Sequence, residues 1–365
     1  MKTVCHLTSV HQPNDVRIFH KECSSLAKSG FNVFIVATNC VSEIKNGVNI
    51  AGVNTIYGNR FSRIFFTSRK VYKKGLSINA AIYHIHDPEL LPFALKLKRK
   101  GKKVIYDVHE DVPKQIMSKY WINKFFRTFL SVTFRWYEDY VAKRLDHIIT
   151  ATPYIRNRFI QLNTNCTDIN NFPLLSEVLT DSDWATKKNE ICYTGGISAI
   201  RGIDILIDAL DTVEGVRLNL AGSYSEDSYR ETLKTKASWN RVNEYGFVDR
   251  KEVASIMGKS KAGVVTFLPE PNHINAQPNK LFEYMSAGIP VIASDFPLWK
   301  EIIKTTDCGI CVDPESATEI ANAIRQLTTC NDRAKQMGDN GRKAVQSKYN
   351  WSIEEKKLIA IYNSL

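Results

Sequence analysis

The alternation of short β-branched runs with longer segments of helical period is the feature that most restricts the fold of this 365-residue chain. Near the amino end, a run at 4–10 (VCHLTSV) precedes a helical segment at 17–30 and a second run at 32–39 (NVFIVATN). Such alternation is typical of βαβ units, which build a parallel sheet covered by helices. Further strands are predicted at 48–53, 81–87, 103–110 and 147–152.

The same alternation restarts after a polar stretch without a clear period at 176–189. It continues to a final portion, residues 315–365, which we predict to be almost wholly helical. We therefore predict an α/β fold with two Rossmann-like, doubly wound domains at 1–175 and 190–350, and a C-terminal helix at 351–365 that packs back on the first domain. The stretch 176–189 is the predicted linker. Two such sheets are expected to face each other across a cleft at their strand ends.

Composition excludes several classes of protein. Hydrophobic residues make up 44% and charged residues 24% of the chain, which is the usage of a globular protein and not of a disordered one. The eight cysteines are scattered, mostly in apolar runs, and the N-terminus lacks a signal-like stretch, which favours a reduced, cytoplasmic location. No run reaches the roughly 18 apolar residues of a membrane-spanning helix.

Charge is unevenly distributed between the two halves. Residues 1–175 carry a net charge of +14, whereas the remainder carries −3. The asymmetry indicates that the first half meets an anionic partner, which could be nucleic acid, a phospholipid surface or a phosphorylated substrate. A basic surface that is merely solvated would give the same count.

The most informative segment runs from Glu270 to Gly288 and leads from a predicted buried strand into a short helix. Pro278 suits the first helical turn and Gly288 suits its end. The free N–H groups at such a helix start attract phosphate, and Lys280 adds a full charge beside them. Glu283, about one turn further, could accept hydrogen bonds from the two hydroxyls of a ribose. The alternative is a simple Lys280–Glu283 surface pair.

A second candidate segment, 193–202, follows the first strand of the second domain. Gly195 and Gly196 permit close backbone approach, and Arg201 can bind a diphosphate. Neither G-x-G-x-x-G nor the Walker pattern is present, so a plain strand-to-helix turn is the competing interpretation.

In the first domain, His86 and His109 stand at the ends of two predicted strands, beside Asp87 and Glu110. His109 could hydrogen-bond a sugar hydroxyl or handle a proton, although a structural role is the alternative. The spacing is not that of a zinc site, and we expect no bound metal. A carboxylate pair at 181 and 183 falls in the predicted linker and is treated as a coincidence.

Residues 119–136 mix bulky aromatic side chains with four cationic ones. A helix of this composition could lie in a membrane interface with its cations toward anionic headgroups. A helix that faces the core of the first domain is an equal alternative.

Seven motifs occur in the order found in one enzyme family. They are Asp15–Ile18, His86–Pro92, Asp107–Glu110, Asn171–Pro173, Arg201–Gly202, Tyr245–Val248 and Pro278–Pro290. In these motifs nearly the whole chain resembles the family 4 glycosyltransferases, retaining enzymes of GT-B architecture, of the type that builds bacterial surface polysaccharides.

The resemblance implies sugar transfer from a nucleotide diphosphate sugar, with retention and without metal or cofactor. Glu283 would hold the ribose, Arg201 would contact the diphosphate, and His109 would lie beside the donor sugar. Lys280 and the helix start would neutralise the leaving diphosphate. The remaining donor-binding positions implied are Gly195, Gly196, Gly246, Val248, Asn275 and Asn279.

Three departures from the family pattern stand out. Asn275 occupies the place of a second glutamate, and a glycine replaces an arginine that often precedes Arg201. The first loop lacks a Gly-Gly pair, so Asp15, Arg17 and His86 are only tentative members of an acceptor or donor loop.

We expect a glycosyltransferase whose acceptor is a polyprenyl-diphosphate-linked glycan or another oligosaccharide, in O-antigen, capsule or related polysaccharide synthesis. It would work in the cytoplasm, at the inner face of an anionic membrane, and would bind no nucleic acid. The alternatives are a sugar nucleotide 2-epimerase of the same architecture and a noncatalytic binder of sugars or nucleic acid.

Overall fold

A computed structural model of the chain describes residues 1–55, 62–119, 121–177 and 184–365. It separates into two compact units, unit 1 (Met1–Asn171 with Trp351–Leu365) and unit 2 (Phe172–Asn350). The stretch expected to be a linker, 176–189, lies partly outside the described residues, and the carboxylates at 181 and 183 lie wholly outside them.

Unit 1 is built on a sheet with the strand order β3-β4-β2-β1-β5-β6-β7-β8. The strands are β1 (Thr3–Leu7), β2 (Asn32–Thr38), β3 (Glu43–Lys45), β4 (Val48–Val53), β5 (Ile82–Ile85), β6 (Lys103–Val108), β7 (His147–Thr150) and β8 (Cys166–Asp168). All neighbours pair in parallel except β3 and β4. Residues 104–108 of β6 are all buried, because helices cover both faces of a parallel sheet.

The helices of unit 1 follow the predicted alternation. They are Val16–Cys23 (π-helical), Ser24–Lys28, Arg63–Thr67 (π-helical), Ser68–Ile78, Leu91–Arg99, Val112–Met117, Lys124–Ala142, Pro153–Phe159 and Trp351–Ser364. The last of these, the Trp351 helix, belongs to unit 1 although unit 2 precedes it in the chain. Its Trp351 Nε1 donates to Ser25 Oγ over 2.9 Å, and its Glu354 accepts from the Asn170 backbone N–H over 2.9 Å.

Unit 2 contains a fully parallel sheet with the order β11-β10-β9-β12-β13-β14. Its strands are β9 (Glu190–Thr194), β10 (Arg217–Ala221), β11 (Val242–Gly246), β12 (Ala262–Val265), β13 (Val291–Ser294) and β14 (Gly309–Val312). Its α-helices are Ile203–Ala209, Asp227–Lys234, Arg250–Lys259, Asn279–Ser286, Pro297–Thr306, Ala317–Thr329 and Asn331–Ser347. Short 3₁₀ turns connect several of these elements.

Each sheet reverses its strand order once. In unit 1 the reversal lies between β1 and β5, and in unit 2 it lies between β9 and β12. The loops that follow these strands diverge, which leaves a crevice where ligands of such sheets bind. The predicted α/β class with two doubly wound units is therefore confirmed, and each reversal locates a place to look for function.

The bounds of the helix Asn279–Ser286, which we call the Asn279 helix, agree closely with those predicted from Pro278 and Gly288. Pro278 precedes the first helical residue in an extended conformation instead of lying within the first turn. Gly288 follows the helix with φ of +67°, the left-handed conformation that favours glycine. Across the described ranges, every helix falls short of the length or the apolar character that spanning a bilayer requires.

Candidate functional site

In unit 2, three strand-end loops approach one another at glycines. The backbone N–H of Gly195 donates to Ala221 over 2.7 Å, and that of Gly222 donates to Gly246 over 2.7 Å. A Cβ atom on Gly222, whose φ is +149°, would lie 1.8 Å from the carbonyl oxygen of Gly195. Only glycine permits this spacing, and the loops after β9, β10 and β11 consequently present a nearly continuous stretch of backbone.

Two cationic side chains border this glycine stretch. A Cβ atom on Gly195 would lie only 2.3 Å from Lys280 Nζ, so the lysine side chain packs against this glycine. The Arg201 guanidinium lies 4.1 Å from the centre of the Phe267 ring, and Lys280 Nζ lies 5.8 Å from the same ring. The structure thus brings Gly195, Arg201 and Lys280 together at the reversal between β9 and β12.

The environment of Lys280 weakens its hold on a proton. Burial and then the nearby Arg201 charge together lower the pKa of Lys280 to about 8, although the Glu283 charge acts in the opposite direction. The same two factors, burial first, lower the pKa of His273 to about 4. An anion bound here would oppose both effects, because it compensates the mutual repulsion of the cations. The two neighbouring cations are therefore suited to binding an anion.

The Asn279 helix begins beside these cations. No side chain caps its first N–H groups, which leaves them available to a bound anion. Asn279 is exposed, and Glu283 is exposed one turn further along. Asn275 is partly buried in the loop that leads into the helix, and Gly196 follows Gly195 with open space around its Cα.

A pocket of about 460 Å³ opens beside Gly222 and Gly246. Phe247 and the aromatic ring of Tyr224 line it, while Val248 instead packs against the hydrophobic core of unit 2. Its other side chains come from Ser223, Asp227, Arg230, Glu244 and Tyr245. The segment Tyr245–Val248 is a recognisable motif in the sequence, whereas neither Tyr224 nor the Arg230–Glu244 pair belongs to one.

In unit 1, His109 stands at the end of β6 against a buried carboxylate. Its Nε2 lies 2.9 Å from Asp107 Oδ2, and 18% of its side chain is exposed. Burial alone would raise the pKa of Asp107, but the Arg17 guanidinium and then His109 hold it well below its usual range. An ionised carboxylate only accepts hydrogen bonds, so the ring proton of His109 is on Nε2.

Asp15 and Arg17, which were expected in an acceptor or donor loop, make contacts within unit 1. Arg17 is buried, donates from Nε and Nη2 to the two oxygens of Asp107 over 3.0 and 2.8 Å, and donates from Nη1 to Ile169 over 2.7 Å. Asp15 caps the segment Val16–Cys23 by accepting from the N–H groups of Arg17 and Ile18. An enclosed and fully engaged Arg17 supports the loop from inside unit 1 and does not reach into a substrate loop.

His86 lies behind His109. It is buried, and its Nδ1 lies 3.2 Å from His109 Nε2. The neighbouring Asp87 is buried as well and accepts from Thr8 Oγ1 over 2.9 Å and from the Ser9 N–H over 2.6 Å. Asp87 therefore joins the loop after β1 to the end of β5, a role that its sequence motif did not disclose.

A metal ion is the alternative occupant of this group of side chains. Ligand atoms of His86, Asp107 and His109 lie within 4.8 Å of one another. Both Asp107 oxygens already accept from Arg17. The arrangement therefore orients His109 through hydrogen bonds, and a metal would have to displace the guanidinium.

Two family models match the chain, one in each unit. The model described as "Glycosyltransferase Family 4" matches residues 16–170, and "Glycosyl transferases group 1" matches residues 177–344. An uncharacterized glycosyltransferase of Methanocaldococcus jannaschii, MJ1069, is 22% identical over 86% of this chain and 81% of its own length. A GDP-mannose-dependent alpha-(1-6)-phosphatidylinositol monomannoside mannosyltransferase of Mycobacterium tuberculosis is 34% identical over 21% of this chain and 20% of its own.

Solved structures give the same fold. Sucrose-phosphate synthase from Thermosynechococcus elongatus superposes with a TM-score of 0.81 at 16% identity, over 100% of this chain and 99% of that one. Anabaena HepE in complex with UDP-glucose superposes with a TM-score of 0.76 at 15% identity, over the whole of both chains.

Proposed function

Because this chain belongs to the family 4 glycosyltransferases of GT-B fold, we propose that it transfers a sugar from a nucleotide diphosphate sugar with retention of configuration. The acceptor is a polyprenyl-diphosphate-linked or other oligosaccharide of a surface polysaccharide such as O-antigen or capsule. The reaction takes place at the cytoplasmic face of a membrane and uses no metal.

The observation that carries this proposal is the meeting of Gly195, Arg201 and Lys280 at the start of the Asn279 helix. Departure of a nucleoside diphosphate develops negative charge, which enzymes stabilise with preorganised cations and N–H groups. Two cations and an uncapped helix start provide this charge from the protein itself. They can therefore take the place of a divalent ion.

The pocket beside Gly246 is assigned to the nucleobase. Aromatic side chains at Tyr224 and Phe247 offer faces on which a flat ring can stack. A mannosyltransferase named as GDP-mannose-dependent and HepE, whose structure was solved in complex with UDP-glucose, are both similar to this chain. A screen of UDP-, GDP- and dTDP-sugars by thermal stabilisation identifies the base, since the true donor raises the melting temperature by mass action.

His109 is assigned to the transferring sugar. With the proton on Nε2 directed to Asp107, the ring can use Nδ1 as an acceptor. That nitrogen can accept a hydrogen bond from a donor hydroxyl. Asp107 is the positioning residue that holds the ring in this tautomer.

The proposed membrane contact is made by the helix Lys124–Ala142, the Lys124 helix. Its core-facing side is narrow and consists of Ser131, Glu138, Val141 and Ala142. One exposed stripe at helical spacing carries five large side chains: Phe125, Phe129, Val132, Trp136 and Tyr140. A soluble surface rarely exposes so large an apolar stripe without a partner. The exposed cations Lys124 and Arg135 on the same helix and the basic excess of residues 1–175 select an anionic bilayer as that partner.

Vesicle sedimentation tests this contact. We expect binding to vesicles that contain phosphatidylglycerol and much weaker binding to neutral ones. The double variant Phe125→Ser and Phe129→Ser should weaken binding by at least about tenfold, because each phenyl ring contributes more than 1 kcal/mol when buried. Thr133→Ser, at an exposed position on the same helix, is the control. Equal binding of the double variant and the control would contradict the proposal.

The decisive test of sugar transfer is Glu283→Ala. We expect transfer to be lost while the circular dichroism spectrum stays unchanged, because an exposed side chain of the Asn279 helix contributes little to folding. Glu301→Ala, an exposed glutamate on the helix Pro297–Thr306, should keep full activity. Near-normal turnover by folded Glu283→Ala would remove Glu283 from donor binding. Incubation with donor alone separates this reaction from epimerisation, which needs no acceptor.

A further inference from the structure

Four metal-ligating side chains meet inside unit 1, away from the strand ends. His6 lies on β1, Glu22 on the π-helical segment Val16–Cys23, His84 on β5, and His86 directly after β5. Their side chains have no exposed surface. We call this group the interior histidine cluster. Three of its members were not predicted as site residues from the sequence, because they are dispersed among apolar residues.

The distances in the cluster converge on one carboxylate oxygen. Glu22 Oε2 lies 3.9 Å from His6 Nδ1, 3.8 Å from His84 Nδ1 and 3.9 Å from His86 Nε2. These separations are too long for hydrogen bonds. Bonds of about 2.0–2.1 Å around a tetrahedral zinc ion place its ligands roughly 3.4 Å apart. His6 Nδ1 and His86 Nε2 lie 2.9 Å apart. These separations lie on both sides of the distance expected between two ligands of one zinc ion.

Charge balance provides a second, independent observation. Neither oxygen of Glu22 accepts a hydrogen bond from a described donor, although the side chain is wholly enclosed, and the carboxyl group of Asp107 lies within its hydrogen-bonding reach. Arg17 lies 3.1 Å from Oε1, but the same guanidinium donates to both oxygens of Asp107. Two carboxylates therefore share one cation. A buried carboxylate is normally neutralised by a proton, a paired cation or a metal; burial and Asp107 raise the pKa of Glu22 well above its usual range, and a metal ion at Oε2 would take the place of the proton.

The surroundings also suit metal-bound imidazoles. Such rings commonly direct their second nitrogen to a carboxylate or another polar group that fixes their orientation. His86 Nδ1 lies 3.4 Å from Asp107 Oδ2, and His6 Nε2 lies 3.2 Å from Tyr362 Oη. The Tyr362 hydroxyl also lies 2.6 Å from His84 Nδ1 and would compete with an ion for that nitrogen.

We propose that the interior histidine cluster binds one divalent transition-metal ion, of which zinc is the best match to three imidazoles and one carboxylate. The ion is structural: it connects β1, β5 and the segment Val16–Cys23. It belongs to unit 1, whereas Gly195 and Lys280 belong to unit 2, and it takes no part in sugar transfer. The proposal does not depend on the proposed function.

Metal content is the first test. The full chain is produced with a histidine-free affinity tag, dialysed against zinc alone and then against buffer, and analysed by plasma mass spectrometry. We expect close to one zinc per chain in the wild type and less than about a tenth of that in Glu22→Gln, because the removed ligand also carries the charge. His109→Ala and His147→Ala, which alter histidines outside the cluster, should retain the metal.

Cobalt substitution is the second test. Four-coordinate Co²⁺ absorbs strongly in the visible range, and this band should appear in the wild type and disappear in Glu22→Gln. Tyr362→Phe removes the competing hydroxyl and should keep the band and bind zinc at least as tightly. If Glu22→Gln does not fold, the wild type alone decides. Wild-type protein that retains no zinc would overturn the proposal and indicate a protonated Glu22, and so would zinc that His109→Ala removes.

Discussion

The strand-end regions of the two units share a topology and differ in chemistry. In unit 2 the reversal between β9 and β12 is surrounded by glycines and by the cations Arg201 and Lys280. In unit 1 the reversal between β1 and β5 is surrounded by histidines and carboxylates that bond to one another. The comparison teaches that strand order determines where a site can form, whereas the charge left unsatisfied there determines what it binds.

The ion pairs of the two regions show the same contrast. Arg17 and Asp107 in unit 1 are 5% and 0% exposed, whereas Arg230 and Glu244 in unit 2 are 41% and 22% exposed. Both arginines donate twice to their carboxylates. Burial is therefore the main difference between them, and variants of each pair measure its effect.

The largest effect is expected from Asp107→Asn. Removing one member of a buried pair takes away the carboxylate to which the Arg17 guanidinium donates twice and leaves Glu22 beside it, so the free energy of unfolding should fall by about 3–5 kcal/mol. Glu244→Gln at the solvent-exposed pair should cost no more than about 1 kcal/mol. Urea denaturation followed by circular dichroism measures both values. Similar losses in the two variants would refute the contrast between the units.

A smaller effect is expected from Gly195→Ala. Its Cβ would lie 2.3 Å from Lys280 Nζ, at a backbone φ of +133°. Displacing the lysine and straining the loop should cost about 1–2 kcal/mol of donor binding, which corresponds to a roughly 5- to 30-fold higher KM. Gly258→Ala, on the helix Arg250–Lys259, is the matched control, because its Cβ would meet no atom within 4 Å. An unchanged KM in Gly195→Ala would show that this glycine does not support the diphosphate site.

The smallest effect concerns pH. Burial, reinforced by Arg201, lowers the pKa of Lys280 to about 8, so the free protein loses this charge as pH rises through that value. A diphosphate prefers the protonated lysine, and kcat/KM should therefore fall by about tenfold for each pH unit above 8. Lys280→Arg keeps its charge and should flatten this limb of the profile. An identical limb in the variant would assign the titration to another group.

Much of the fold could be predicted because its signals are local. The strand β6 contains the apolar run 104–106, and the Asn279 helix is bounded by Pro278 and Gly288. The candidate donor residues were found for the same reason, since Gly195 and Lys280 each occur in a recognisable strand-to-helix connection.

Other features depend on packing between distant segments. His6 and His84 meet through the pairing of β1 with β5, and Tyr362 reaches them from more than 270 residues away. The Lys124 helix posed a different problem. Bulky residues occupy several of its sides, so periodicity alone did not distinguish the face toward the core from the exposed stripe.

The return of the Trp351 helix to unit 1 has a consequence for engineering and for evolution. The polypeptide passes from unit 1 to unit 2 and back, so a recombinant exchange of one half needs two junctions, near residues 171 and 350. A chimera that takes everything after Asn171 from a relative would also import a foreign terminal helix. That helix would have to supply Glu354 and Tyr362 to strands with which it had not coevolved.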